Sequence, residues 1–151
     1  MNEPSYPFKR IEDRLTFSFE SVSQEKTIQK LVEFRLFDDL NELYNLALID
    51  ILPDGTVSDL TVSNNQDMPK VLATVFQSIR LFFQTKPKAK ILIQGSTASR
   101  TRLYQIAIVK YYNELEPIYN IWGFRGNNIQ VFETGYNFEG FIVSFKNYEK
   151  S

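Results

Sequence analysis

The stretch 91–104 contains the residue types that an anion-binding site requires. A short apolar run, Ile-Leu-Ile, is followed by Gln, then by Gly95, Ser96 and Thr97, and then by a segment with two arginines. At a helix N-terminus the backbone N–H groups lack intrahelical partners and the helix dipole is positive. Glycine lets a ligand approach the backbone, hydroxyl groups donate hydrogen bonds, and arginine binds phosphate or carboxylate bidentately. We therefore predict an anion site where this strand turns into a helix.

The two arginines of this stretch cannot both face one ligand. Arg100 and Arg102 lie about 200° apart around a helix axis. Arg100 shares its side of the helix with Thr97 and Tyr104, and this side is predicted to meet the ligand, whereas Arg102 could pair with a carboxylate of the sheet. The predicted anion-site residues are Gly95, Ser96, Thr97, Arg100, Arg102 and Tyr104.

A purely structural interpretation of the same residues stays open. Ser or Thr before a helix is first of all a cap, and Gly at a tight turn satisfies the backbone. The stretch has neither the second Gly and Gly-Lys-Ser/Thr ending of a Walker motif nor a dinucleotide-binding fingerprint. Capping alone and a true anion site are therefore the two alternatives.

The absence of His and Cys restricts the chemistry that the chain can do. No Ser-His-Asp or Cys-His machinery, thiolate zinc site or disulfide can form without these residues. This argues against an enzyme, and we predict neither a metal site nor a cofactor. The pairs Asp38-Asp39 and Glu114-x-Glu116 are close in sequence, but they are interpreted as solvated turn residues.

The segment 95–104 resembles the signature of a known group of proteins. The pattern Gly-Ser-Thr-x-x-Arg-x-Arg-Leu-Tyr is similar to one in a family of small uncharacterised bacterial proteins, and the aromatic, Gly-containing segment 135–145 fits as well. The resemblance implies a shared fold over the whole chain and no particular reaction.

The charges are distributed unevenly along the chain. Residues 68–113 contain eight basic and no acidic residues, although the whole chain has 17 basic and 18 acidic residues. Such asymmetry can mark a face that binds a polyanion such as RNA. The alternative is that acidic strands neutralise the basic segment, within the chain or across a homodimer.

The periodicity of the apolar residues predicts the elements that would position this site. The predicted strands are 14–19, 28–37, 43–52, 56–62, 89–94, 119–124, 129–133 and 141–145, with a helix between the N-cap Asp67 and Pro87 and a second helix over 98–113. Leu103, Ile106, Ala107 and Tyr111 are expected on the inner face of the second helix. The order predicts an α+β fold, a mixed and mostly antiparallel sheet with two helices packed on one face.

Length and composition complete the sequence-based prediction. With 151 residues, 43% hydrophobic residues and no apolar run of membrane-spanning length, the chain is expected to form one soluble cytoplasmic domain, 1–151. Two functions follow as hypotheses. One is a module that binds a phosphate-bearing ligand, a nucleotide or RNA, at 95–104, and the other is an interaction or structural module, homodimeric, in which the arginines are structural.

Overall fold

The computed structural model describes residues 5–12, 15–24, 26–58 and 67–146, and it has the predicted α+β architecture. The strands are β1 (Phe8–Arg10), β2 (Thr16–Val22), β3 (Thr27–Asp38), β4 (Leu43–Ile51), β5 (Val57–Ser58), β6 (Lys90–Ile93), β7 (Tyr119–Arg125), β8 (Asn128–Val131) and β9 (Gly140–Phe145). The helices are α1 (Met68–Thr85), α2 (Ala98–Lys110) and the short α3 (Tyr112–Leu115).

The described strands form one mixed sheet. Its order is β1-β2-β3-β4-β6-β9-β7-β8, with β5 paired to β4 as a side branch. Every pairing is antiparallel except that between β4 and β6, which is parallel. The mostly antiparallel mixed sheet that the sequence predicted is therefore confirmed.

The helices pack on one face of this sheet, the covered face. The apolar stripe of α1 buries Val71, Val75 and Phe82 completely, and the Phe82 ring stacks on that of Phe34 at 4.5 Å between centroids. This packing follows from the helical spacing of the apolar residues, which places them on a single side of α1. No helix in the described part of the chain is long and apolar enough to cross a membrane.

The sheet face turned away from the helices, the outer face, is less protected. Leu92, Ile142, Trp122 and Val131 are cross-strand neighbours on it. Leu92 is only half-buried, because the described helices all lie on the other face. The outer face thus presents a band of apolar side chains.

The second predicted helix is divided in the structure. The prediction of one helix over 98–113 is wrong, because α2 ends at Lys110, Tyr111 adopts φ −107° and ψ 16°, and α3 follows. The change of direction lets Tyr111 and Leu115 both enter the core, where they are 7% and 8% exposed. Burial of these two large side chains accounts for the break.

The rotation of α2 agrees with the prediction only in part, since Ala107 and Tyr111 are buried as predicted. Its buried residues are Thr101, Tyr104, Ala107 and Ile108, whereas Ile106 is 54% exposed. The apolar residues of α2 occur on several sides of the helix, so their spacing does not define one stripe. A polar contact with the preceding turn also holds this side of α2, since the Thr101 hydroxyl accepts a hydrogen bond from the Gly95 N–H at 3.0 Å and donates one to the Thr97 carbonyl at 3.2 Å.

The first strand, β1, was missed because it has only three residues and directly follows Pro7. Close to it lies Asp67, which occupies the predicted N-cap position of α1 but makes no capping hydrogen bond with its side chain. Its Oδ2 instead accepts hydrogen bonds from the Tyr6 hydroxyl and the Ser21 hydroxyl, both at 2.5 Å. Asp67 therefore ties the N-terminal segment and β2 to the start of α1.

Candidate functional site

A crevice forms where β6 ends while β4 continues. The parallel pairing joins Leu43–Leu46 of β4 to Lys90–Ile93 of β6, and β5 pairs with β4 only at Asp50 and Ile51. Between these two pairings, no described strand lies beside that edge of β4. The chain leaves β6 at this point and enters α2, so the start of the helix borders the gap. Such gaps beyond the ends of parallel strands are common ligand sites in α/β proteins.

The crevice has a volume of about 100 Å³ and is bounded by the sheet on one side and by the turn before α2 on the other. From the sheet come Arg35, Asn45, Leu46, Ala47 and Leu48, and from the turn and α2 come Gln94, Gly95, Ser96, Arg100 and Tyr104. Two of these lining residues are arginines and none is acidic. The crevice therefore contains four of the six residues that the sequence singled out.

Gly95 is required by the packing of the turn. A Cβ atom at this position would lie 2.5 Å from the Arg100 Cβ and 2.6 Å from the Thr101 backbone nitrogen. Real Cβ contacts are far longer than this, so a side chain would push the turn away from the first turn of α2. The contact supports the structural interpretation of Gly95, although the residue also lines the crevice.

Thr97 acts as the N-cap of α2. Its hydroxyl accepts a hydrogen bond from the Arg100 N–H at 3.2 Å, and its backbone is extended, with φ −133°. Thr97 is exposed and does not line the crevice. The capping interpretation therefore applies to this residue, whereas the three residues before it, Gln94, Gly95 and Ser96, line the crevice.

Arg100 and Tyr104 lie one helical turn apart on the side of α2 that faces the crevice. Arg100 is half-buried and Tyr104 is 7% exposed. Burial raises the pKa of Tyr104 to about 12, and the nearby positive charge of Arg100 opposes this rise. The phenol consequently keeps its proton at neutral pH and can serve as a hydrogen-bond donor.

Arg35 and Asn45 are crevice residues that the sequence analysis missed. They face each other across the β3–β4 pair and lie on the outer face. The Arg35 side chain is 53% exposed and its Nε lies 3.4 Å from a carboxylate oxygen of Glu33, an ion pair of small energetic value at such exposure. No local pattern marks these residues, because their approach to 95–104 depends on the pairing of β4 with β6.

Arg102 points away from the crevice, as the helical geometry predicted. It is exposed, and its Nη1 donates a hydrogen bond to the Asn137 side-chain oxygen at 3.1 Å. This partner lies in the loop before β9 and replaces the sheet carboxylate that the sequence suggested. Gln105 holds the same loop, since its side-chain oxygen accepts a hydrogen bond from the Phe138 N–H at 3.1 Å. Arg102 therefore belongs to a contact between α2 and this loop.

The acidic residues offer no comparable site. Within the described ranges, no group of three or more carboxylates is arranged to hold a metal ion. Asp38 accepts a hydrogen bond from the Asn41 side-chain amide at 2.7 Å within the turn after β3, and Glu116 pairs with Lys146 at 3.0 Å. These contacts agree with the interpretation of both acidic pairs as turn residues.

Comparison with known proteins identifies the family of the chain. The model of DUF6934, a family of unknown function, matches residues 2–146, so the chain belongs to that family. No curated protein and no solved structure matched the chain. The resemblance to a family of uncharacterised proteins is thus supported over nearly the whole chain, whereas the 95–104 pattern as its signature and a bacterial origin stay predictions.

Proposed function

We propose that this family member binds a phosphate-bearing ligand, with the anionic group held in the crevice between Arg35 and Arg100. The observation that carries the proposal is the composition of the lining. The residues that line the space include Arg35, Arg100, Ser96, Tyr104 and Asn45, and none of the lining residues is acidic. Guanidinium groups bind phosphate through two parallel hydrogen bonds, and the nearby N-terminus of α2 adds a favourable field.

The size of the crevice supports a ligand with a terminal phosphate. A space of about 100 Å³ suits one compact anionic group and excludes the remainder of a nucleotide. That remainder would extend over the outer face. Terminal phosphates fit this geometry better than the internal phosphodiesters of RNA, so a nucleoside monophosphate is preferred to a nucleic-acid strand.

Removal of each arginine tests the proposal. Arg100→Ala and Arg35→Ala should each weaken binding of adenosine 5′-monophosphate by about 1.5–3 kcal/mol, because a charge-assisted hydrogen bond is lost. Isothermal titration calorimetry measures this change. Arg102→Ala is the matched control, since Arg102 lies two residues along the same helix and contacts Asn137 instead. Equal affinity in all four proteins, or an equal loss in Arg102→Ala, would contradict the proposal.

A second candidate function, a homodimeric interaction module, is favoured by the outer face. Ile129 and Val131 on β8 are 61% and 62% exposed beside the half-buried Trp122. A second copy of the chain placed against this band would bury them. If so, sedimentation velocity should show a dimer that Val131→Glu converts to a monomer, and a wild-type monomer at high concentration would exclude this function.

A further inference from the structure

A second and larger cavity lies between the helices and the covered face of the sheet. It has a volume of about 310 Å³, and nine of its twelve lining residues are apolar or aromatic, among them Phe76, Ile108, Ile121 and Val143. A space of this size is at the lower end of small-molecule sites.

The cavity arises where α2 changes into α3. Ile108 of α2 and Leu115 of α3 both line it, so the break at Tyr111 separates its walls. Ile118, which follows α3, also lines the cavity and is 43% exposed, so it stands where the cavity meets solvent. An apolar compound could therefore enter without disturbing the deeper core.

The rim of the cavity carries one guanidinium, on Arg80, and one carboxylate, on Glu114. Gln77 and Arg80 lie one turn apart on α1 and both line the space. Arg80 is exposed, and within the described part of the chain no hydrogen bond or ion pair engages its guanidinium. Glu114 also lies at the rim, but it already interacts with another group. The rim therefore offers hydrogen-bond donors to an anionic group.

Tyr119 supports the same chemistry. Its ring lines the cavity and is 8% exposed. Burial raises the pKa of Tyr119, and the charge of Arg80 opposes this rise, which means that the guanidinium and the phenol interact electrostatically. The phenol stays protonated at neutral pH and adds a further donor near Arg80.

We propose that this cavity binds a small apolar monocarboxylic acid, with its hydrocarbon body among Phe76, Ile108 and Val143 and its carboxylate on Arg80. The apolar walls account for the body of such a ligand. The Arg80 guanidinium, which has no hydrogen-bond or ion-pair partner among the described residues, accounts for its single negative charge. This site is separate from the crevice at Arg35 and Arg100, and the proposal does not depend on phosphate binding there.

Octanoate is a suitable probe, with octan-1-ol and octylamine as neutral and cationic counterparts of the same length. Octanoate should bind about tenfold more tightly than octan-1-ol, the ratio expected from one charge-assisted hydrogen bond. Arg80→Gln should remove this preference and leave octan-1-ol affinity unchanged, whereas Arg125→Ala, at an exposed arginine beside Tyr136, should change neither. Calorimetry measures all three affinities.

A substitution that closes the cavity provides a second test of the proposal. Ile118→Trp should block octanoate and octan-1-ol alike, and Ile106→Trp is its control, because Ile106 is an exposed isoleucine on α2 that does not line the cavity. Circular-dichroism melts confirm that both variants fold. Unchanged octanoate binding in Ile118→Trp, or octylamine binding as tight as octanoate binding, would overturn the proposal. Arg100→Ala should not affect octanoate, so failure here is distinguishable from failure at the crevice.

Discussion

At the scale of single residues, the crevice is lined by side chains that are far apart in the sequence. Arg100 and Tyr104 come from α2, and Arg35 and Asn45 come from the central strands β3 and β4. Sequence spacing placed Arg100 beside Tyr104 correctly, since helical geometry requires it. The position of Arg35 in the crevice was not predictable, because the sequence around an isolated arginine in a strand does not indicate which distant residues it will lie beside.

The phenol of Tyr104 allows a prediction about alkaline pH. Its pKa is raised by burial to about 12 in the folded protein, from an ordinary value near 10. Folding therefore favours the neutral phenol, and the associated stability is complete below pH 10 and is lost as the pH rises toward 12. The free energy of unfolding should fall by as much as about 1.4 kcal/mol per pH unit for this group over that interval.

Comparison with Tyr104→Phe isolates this effect. The variant lacks the ionisable group, so its free energy of unfolding should decline less steeply between pH 9 and pH 11 in urea titrations. Some decline should persist, because burial also raises the pKa of Tyr119, and the Tyr6 pKa is raised as well. Parallel declines in the wild type and the variant would show that Tyr104 is not the group responsible.

At the scale of elements, the quality of the sequence pattern decided what could be predicted. One apolar stripe defines α1, and its predicted limits agree with the structure. For α2 the apolar residues are spread around the axis, so its inner face was predicted only in part: Ala107 and Tyr111 are buried as predicted, whereas Ile106 is exposed. The three-residue β1 gave no periodic signal at all.

The turn between β6 and α2 provides a test at this scale. Gly95→Ala should destabilise the protein by about 1–3 kcal/mol, the usual cost of overpacking, because the new methyl group would meet the Thr101 backbone nitrogen at 2.6 Å. Thermal melts measure the change. Ser99→Ala serves as the control, since Ser99 is exposed in the first turn of α2 and should stay within about 0.5 kcal/mol. Equal melting temperatures for the two variants would show that the turn tolerates a side chain.

At the scale of the whole molecule, four of the eight basic residues of segment 68–113 have different surroundings. Lys86 lies over the Tyr44 ring, and Arg80 lines the cavity between the helices and the covered face. Arg100 lines the crevice, and Arg102 contacts the loop before β9. A strand of RNA would need a continuous basic path. The placement of these four cations therefore favours the proposed small anionic ligand over RNA.

The most direct measurement of the central claim is a titration of the ¹⁵N-labelled protein with inorganic phosphate, followed by amide and guanidinium resonances in NMR spectra. We expect saturable shifts of the Gly95, Ser96 and Arg100 amides together with the Nε–H signals of Arg35 and Arg100. The Arg102 Nε–H should not respond. Shifts spread over the surface lysines, with these signals unmoved, would contradict the account.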